Sequence, residues 1–213
     1  MFFKKKEIWV PTWKASLLFL ILLIGLLYGA LHFTEPFLSP NHPVGAPVLV
    51  IEGWLPEDGI RRAIQLDEQN HYALVITAGQ EIEKGMDISH YGNYAELGAV
   101  RLVALGFKGT NIVKVPTPKT RKDRTYHTAL AVHSYLLTNA NFRAVDLLSE
   151  SVHSRRSWLL YSKACAPEIK VGIIANHSPD FDSKNWWKSS NGVRIVMSEA
   201  ISYLYAKLVF NPE

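Results

Sequence analysis

The stretch Val48-Leu49-Val50-Ile51-Glu52-Gly53-Trp54, followed by residues 57–69 and then by Leu74-Val75-Ile76-Thr77, decides the fold. Four aliphatic residues in a row, with no polar alternation, match a strand buried on both faces, as strands of parallel sheets are. Gly53 ends the run. Residues 57–69 read as a helix, and 74–77 form a second apolar run ended by Gly79. Strand, helix and strand in this order make a crossover unit.

The same alternation continues outward. Residues 91–105 read as a helix stopped by Gly106, and 111–115 as a third strand ended by Pro116. A helix follows over 125–137, then a fourth strand over 144–149. Residues 153–164 form a helix stopped before Pro167, 170–175 a fifth strand, and 193–210 a long terminal helix. The expected fold is therefore α/β, a doubly wound parallel sheet of about five strands with helices on both faces.

Upstream, residues 15–34 carry no charge, and about 20 apolar residues suffice to cross a bilayer as a helix. Lys4, Lys5, Lys6 and Lys14 precede the span, and Glu35 follows it. The positive-inside rule keeps such a tail in the cytoplasm and sends the rest across. Tyr28, two positions before Ala30, spoils a signal-peptidase site, which favours an uncleaved anchor over a cleaved signal. The expected organisation is a cytoplasmic basic tail (1–14), a transmembrane helix (15–34), a stiff proline-rich linker (35–47) and an extracytoplasmic domain (48–213). The expected location is the cytoplasmic (inner) membrane.

Charge needs dividing between these parts. The chain holds 23 basic and 19 acidic residues. Four Lys and one Glu fall in the first fourteen, which leaves 19 basic against 18 acidic residues beyond them. A nearly neutral domain gives no electrostatic footprint for nucleic acid. Cys165 is the single cysteine, so no internal disulfide can form.

In open α/β sheets, ligands bind beyond the carboxyl ends of the strands. That rule brings Glu52, Gly53 and Trp54 to one rim with Gly79 and Gln80, with Arg121, Arg124 and Thr125, and with Ser149, His153, Arg155 and Arg156. Arg-bearing segments precede two helix starts there, where free N–H groups and the macrodipole attract anions. Guanidinium groups add bidentate bonds to phosphate or carboxylate. Each residue also has a plain structural reading. Glu52 is a general base, a metal ligand or the partner of an Arg; His153 is an acid/base or a structural histidine; Glu96 points at the rim or into solvent. His127 and His133 are six apart and share no helix face, and no zinc spacing, phosphate loop or G-x-G-x-x-G is present, so no metal site or particular cofactor is implied.

The segments 48–53, Thr77-Ala78-Gly79, Ala95-Glu96, Thr125 and 149–156 resemble the YdcF/SanA/ElyC-like family, a bacterial domain of unknown function. His153 and Arg156 match the His-x-x-Arg of its most specific motif. Its Glu-Asn pair at a helix start is His127-Thr128 here, and its Ser-Gly-Gly turn is Thr77-Ala78-Gly79. The resemblance covers about residues 47–175 and implies a Rossmann-like fold on a single-span envelope protein. It also implies roles in the surface barrier, peptidoglycan and lipid-carrier metabolism. The expected function is an envelope-biogenesis factor that binds an anionic, phosphorylated or saccharide-linked ligand. Arg121, Arg124 and Arg156 form the expected clamp, with His153 and Glu52 as its candidate catalytic groups. A non-catalytic envelope scaffold and a nucleotide- or cofactor-binding Rossmann-like enzyme are the alternatives. Alkaline phosphatase fused after Glu213 is expected to be active, since it works only when exported. An inactive fusion, or a new N-terminus near Ala30, would remove the anchored reading.

Overall fold

The structure, a computed structural model, describes residues 8–140 and 142–212, with residues 139 and 140 as backbone only. Lys4, Lys5 and Lys6 lie outside the described residues. The order is α1 (Trp13–Leu38), β1 (Val48–Glu52), α2 (Glu57–Asn70), β2 (Leu74–Gln80), α3 (Tyr94–Ala104), β3 (Ile112–Thr117), α4 (Arg124–Tyr135), β4 (Ala144–Glu150), α5 (Ser154–Cys165), β5 (Lys170–Asn176) and α6 (Ser190–Leu208). All strand pairs are parallel, in the order β3-β2-β1-β4-β5. The winding reverses between β1 and β4, the switch point of a Rossmann-like sheet.

β1 shows why its sequence is apolar throughout. Val48 and Val50 pack on one face with Ala129 and Val132 of α4 and Tyr161 of α5. Leu49 and Ile51 pack on the other with Ile60 and Ala63 of α2 and Leu102 of α3. Successive side chains of a strand alternate faces, so a strand covered twice has no place for a polar residue. Its last residue, Glu52, breaks the rule.

Several boundaries differ from the sequence reading. β2 runs on through Gly79 to Gln80, so Thr77-Ala78-Gly79 lies inside the strand. β3 passes through Pro116 to Thr117. It can do so because β3 is an edge strand, where a missing N–H breaks no ladder. α1, which is long and apolar enough to cross a membrane, continues through Pro36 to Leu38. The segment expected to be an extended spacer from Glu35 is therefore helical for four more residues.

The rest of that segment is laid on the sheet. His42 exchanges backbone hydrogen bonds with Ile173 of β5, at 2.8 and 3.1 Å, and covers the open edge. Buried Asp146 of β4 accepts from Val44 N at 2.7 Å and Ala46 N at 2.9 Å. A β-carbon on Gly172 would stand 2.7 Å from Val44 N, so only glycine leaves room for this tether.

α3 comes equally close to β1. A β-carbon on Gly98 would sit 2.9 Å from Gly53 Cα, and Thr77 Oγ1 donates to Ala95 O at 2.8 Å. Gly98→Ala is expected to lower stability by about 1–3 kcal/mol through overpacking, although alanine is the better helix former by about 1 kcal/mol. Thermal unfolding measures this, and a melting temperature at or above wild type would contradict the close packing.

Candidate functional site

A cavity of about 910 Å³ opens at the carboxyl edge of the sheet. Glu52 ends β1, Gly79 and Gln80 end β2, Arg124 and Thr125 begin α4, and His153 and Arg156 follow β4. The cavity thus sits at the switch point, where the fold rule places ligands. Ile201 and Tyr205 of α6 and Phe210 just after it form the far wall, and Ile88 and Leu97 add further apolar surface. The site is polar at the strand ends and apolar towards α6.

A chain of alternating charges runs along its floor. Glu52 is 3% exposed, and an ionised carboxylate is costly to bury without partners. Ser149 Oγ donates to Glu52 Oε2 at 2.5 Å and Ser157 Oγ to Oε1 at 3.0 Å. His153 Nε2 stands 3.7 Å from Oε1, an ion pair too long for a hydrogen bond. His153 Nδ1 faces Glu199 Oε1 at 3.1 Å, and Arg156 Nε meets Glu199 Oε2 at 2.9 Å. Nδ1 also lies 2.9 Å from an Arg156 Nη. A protonated imidazole cannot accept from that donor, so its Nδ1–H belongs to Glu199. Arg156 keeps two bonds of its own to Glu199, the second at 3.1 Å.

These neighbours set the protonation states. Burial alone would lower the pKa of His153; the Glu52 and Glu199 carboxylates more than reverse it and hold the imidazole at about 9. Burial would raise Glu199, but His153 and Arg156 bring it down to about 2. At neutral pH His153 is therefore protonated and Glu199 ionised, with Glu52 and Arg156 at the two ends of the row. Both imidazole N–H groups face carboxylates, and Glu52 has an acceptor contact on each oxygen. Trp54 closes over His153, edge to face, with centroids 5.2 Å apart.

The structure brings Glu52, Gly79, Gln80, Arg124, Thr125, His153 and Arg156 together around the cavity. Others of the expected set lie elsewhere. Ser149 is buried beneath it as a partner of Glu52. Gly53 serves the close approach of α3. Glu96 turns outward to Lys114 Nζ at 2.9 Å. Arg121 is exposed and does not line the cavity. Arg155 is drawn away to α1, where its guanidinium lies 3.9 Å from the Phe37 ring centroid and Nε donates to Phe37 O. Glu52 pairs with His153 rather than with an Arg. Among the described residues no cluster of three metal-ligating side chains exists.

Three residues of the site escaped the sequence reading. Glu199 is the one carboxylate of α6, an acid isolated in an apolar terminal helix. Ser157 lies four residues after His153, on the same helix face. Arg101 reaches the cavity from α3 and donates to Leu55 O at 3.1 Å.

No family model matches the sequence, and no curated protein or solved structure matches it either. Fold and site together define the class: an apolar N-terminal helix joined to a Rossmann-like α/β domain with a charged cavity at its switch point.

The ion chain makes stability depend on pH in a definite direction. His153 binds its proton more tightly folded than unfolded, so its contribution is complete below about pH 6.5 and is lost as pH rises through about 9. Glu199 works oppositely: its contribution is present above about pH 4.5 and is lost towards pH 2. Melting temperature is expected to decline between these alkaline limits in the wild type and not in His153→Gln. An imidazole titrating near its ordinary value by NMR would show that the chain of charges does not form.

Proposed function

We propose that this is a single-span membrane protein whose α/β domain stands on the extracytoplasmic side and takes part in building the cell envelope. Its cavity binds an anionic ligand, phosphorylated or saccharide-linked. The observation that carries the reading is Arg124. It stands in the first turn of α4 at the cavity, and among the described residues no carboxylate pairs with it. Its one neighbour of note is Gln80, whose amide, oriented to suit its surroundings, accepts from Arg124 Nη1 at 3.3 Å.

The helix start beside it is also open. Asp123 occupies the N-cap position with φ of 52°, and its side chain makes no capping bond. Free N–H groups and the positive end of the helix dipole stand at the cavity mouth next to the Arg124 guanidinium. Arg156, by contrast, is held by Glu199 and serves the cavity floor. The clamp expected from Arg121, Arg124 and Arg156 thus reduces to Arg124, with Arg101 and Thr125 beside it.

The apolar α6 wall fits a ligand with a hydrocarbon part, and a stacked Trp54 fits a sugar face as well. The His153 Nδ1–H is committed to Glu199 and each Glu52 oxygen accepts from a serine, which leaves the His153 Nε2–H, 3.7 Å from Glu52, as the one proton of the row without a hydrogen bond. A nucleotide site is disfavoured by the turn after β1, where Trp54-Leu55-Pro56 stands instead of a glycine-rich loop. Family membership of the YdcF/SanA/ElyC type is part of the same proposal and rests on the motifs given above.

The test is titration of the full-length protein in nanodiscs with a short-chain prenyl monophosphate. A charged hydrogen bond contributes about 1.5–3 kcal/mol, so Arg124→Ala is expected to weaken binding about 10–100-fold at unchanged melting temperature. Arg156→Ala is expected to lower the melting temperature instead, because it removes one of the two cations that hold Glu199. Equal affinity in wild type and Arg124→Ala would remove the anion-site reading.

A further inference from the structure

α6 carries a stripe that its own fold does not cover. Val193, Met197, Ile201, Leu204 and Leu208 are 39–76% exposed. At 3.6 residues per turn these positions fall within an arc of about 80°. Exposed Arg194 and Lys207 flank the arc, with Tyr205 at its border. The helix's one carboxylate, Glu199, is turned inward to Arg156 and His153. Single exposed apolar side chains are ordinary, but five aligned along one helix mark an interaction surface.

The position of α1 says what covers it. α1 has 26 residues, about 39 Å at the helical rise, whereas the hydrocarbon core needs about 30 Å. Its last turns therefore emerge into the headgroup layer, and those turns are docked on α6 and its approach. Phe37 stacks edge to face on Tyr203 at 5.4 Å. Trp186 Nε1 donates to Leu31 O at 2.9 Å, and the His32 and Trp187 rings lie 4.9 Å apart. Leu38 is buried with Val196 and Trp186 in one cluster.

We propose that the outer face of α6 lies in the headgroup layer of the bilayer that α1 spans, as an interfacial helix. An aliphatic face with flanking cations and a tyrosine is the composition such helices use: the aliphatics enter the acyl boundary, and Arg and Lys reach up to anionic headgroups. Ile201 and Tyr205 belong both to this face and to the cavity wall. The cavity then opens at the membrane surface, where a lipid head enters it without leaving the bilayer. The inference rests on α1 being an uncleaved span; it does not require the anion site.

The experiment uses the full chain in nanodiscs that contain anionic phospholipid. Met197→Cys, Leu204→Cys, Lys108→Cys and Leu22→Cys are labelled one at a time with an environment-sensitive fluorophore. Buried Cys165, with its thiol pushed up to about 12 by burial, gives no background. Labels at 197 and 204 are expected to be quenched several-fold more by phospholipid doxylated near the headgroup than the label at 108, which lies in the turn before β3. The label at 22 should respond to mid-chain doxyl groups. Iodide-accessible labels at 197 and 204, with 22 in lipid, would overturn the α6 placement alone. Protection from both quenchers, as a second copy would give, also overturns it. A water-accessible label at 22 removes the anchor and the inference together. Both α6 positions are about half exposed, so the variants should melt as the wild type does.

Discussion

The carboxylate of Glu52 is the constraint on which the site depends. It ends the central strand of a sheet covered on both faces, so it has almost no water. A charge placed there must be balanced by groups that the fold can bring to the switch point. β4 supplies Ser149, the turn before α5 supplies His153, and α5 supplies Ser157. A charged His153 next to Arg156 would in turn repel, and Glu199 of α6 separates the two. The compensation travels outward one charge at a time until it reaches the terminal helix. α6 is thereby fastened over the strand ends by electrostatics, where its apolar wall encloses the cavity.

The same logic separates the roles of the arginines. A guanidinium that neutralises a half-buried carboxylate has its bonds filled and its geometry fixed. Arg156 is of this kind, and Arg155 is occupied by the Phe37 ring and carbonyl. Only a cation left over after internal pairing can attract a ligand without first breaking a contact. Among the described arginines that line the cavity, Arg124 is the one paired with neither a carboxylate nor a backbone carbonyl; its neighbour is the Gln80 amide.

Much of this architecture was legible because parallel strands are apolar on both faces. The central strand Val48–Glu52 needs a continuous aliphatic run, its neighbours are largely aliphatic, and the crossovers between them need helices. The switch-point rule then selected Glu52, Gln80, Arg124, His153 and Arg156 without any contact information. What was not legible depended on which elements meet far along the chain. Nothing near Arg155 tells of Phe37, 118 residues away. The partner of His153 in α6 is likewise set by helix packing, not by local sequence. Proline also misled twice: at Pro116 because an edge strand leaves the missing N–H without a partner, and at Pro36 because the last turn of α1 continues despite the lost bond. The linker failed for a related reason: its prolines suggested stiffness, but Asp146 and the open edge of β5 supplied partners for its backbone.

Those last contacts join the apolar helix to a definite mechanical frame. From Leu38 the chain passes to His42 on β5, then to Val44 and Ala46 on Asp146, and enters the sheet at Val48. Arg155 and Tyr203 grip Phe37 from the other side. Successive fixed residues leave α1 little freedom to swing relative to the sheet. A free proline-rich spacer would let the domain sample many orientations, and the meeting of α6 with the end of α1 would then be an occasional event. Held at both ends of the short segment between α1 and β1, the domain keeps α6 beside the end of α1. The orientation of the cavity mouth follows from the tether, in the same way that the charge of its floor follows from Glu52.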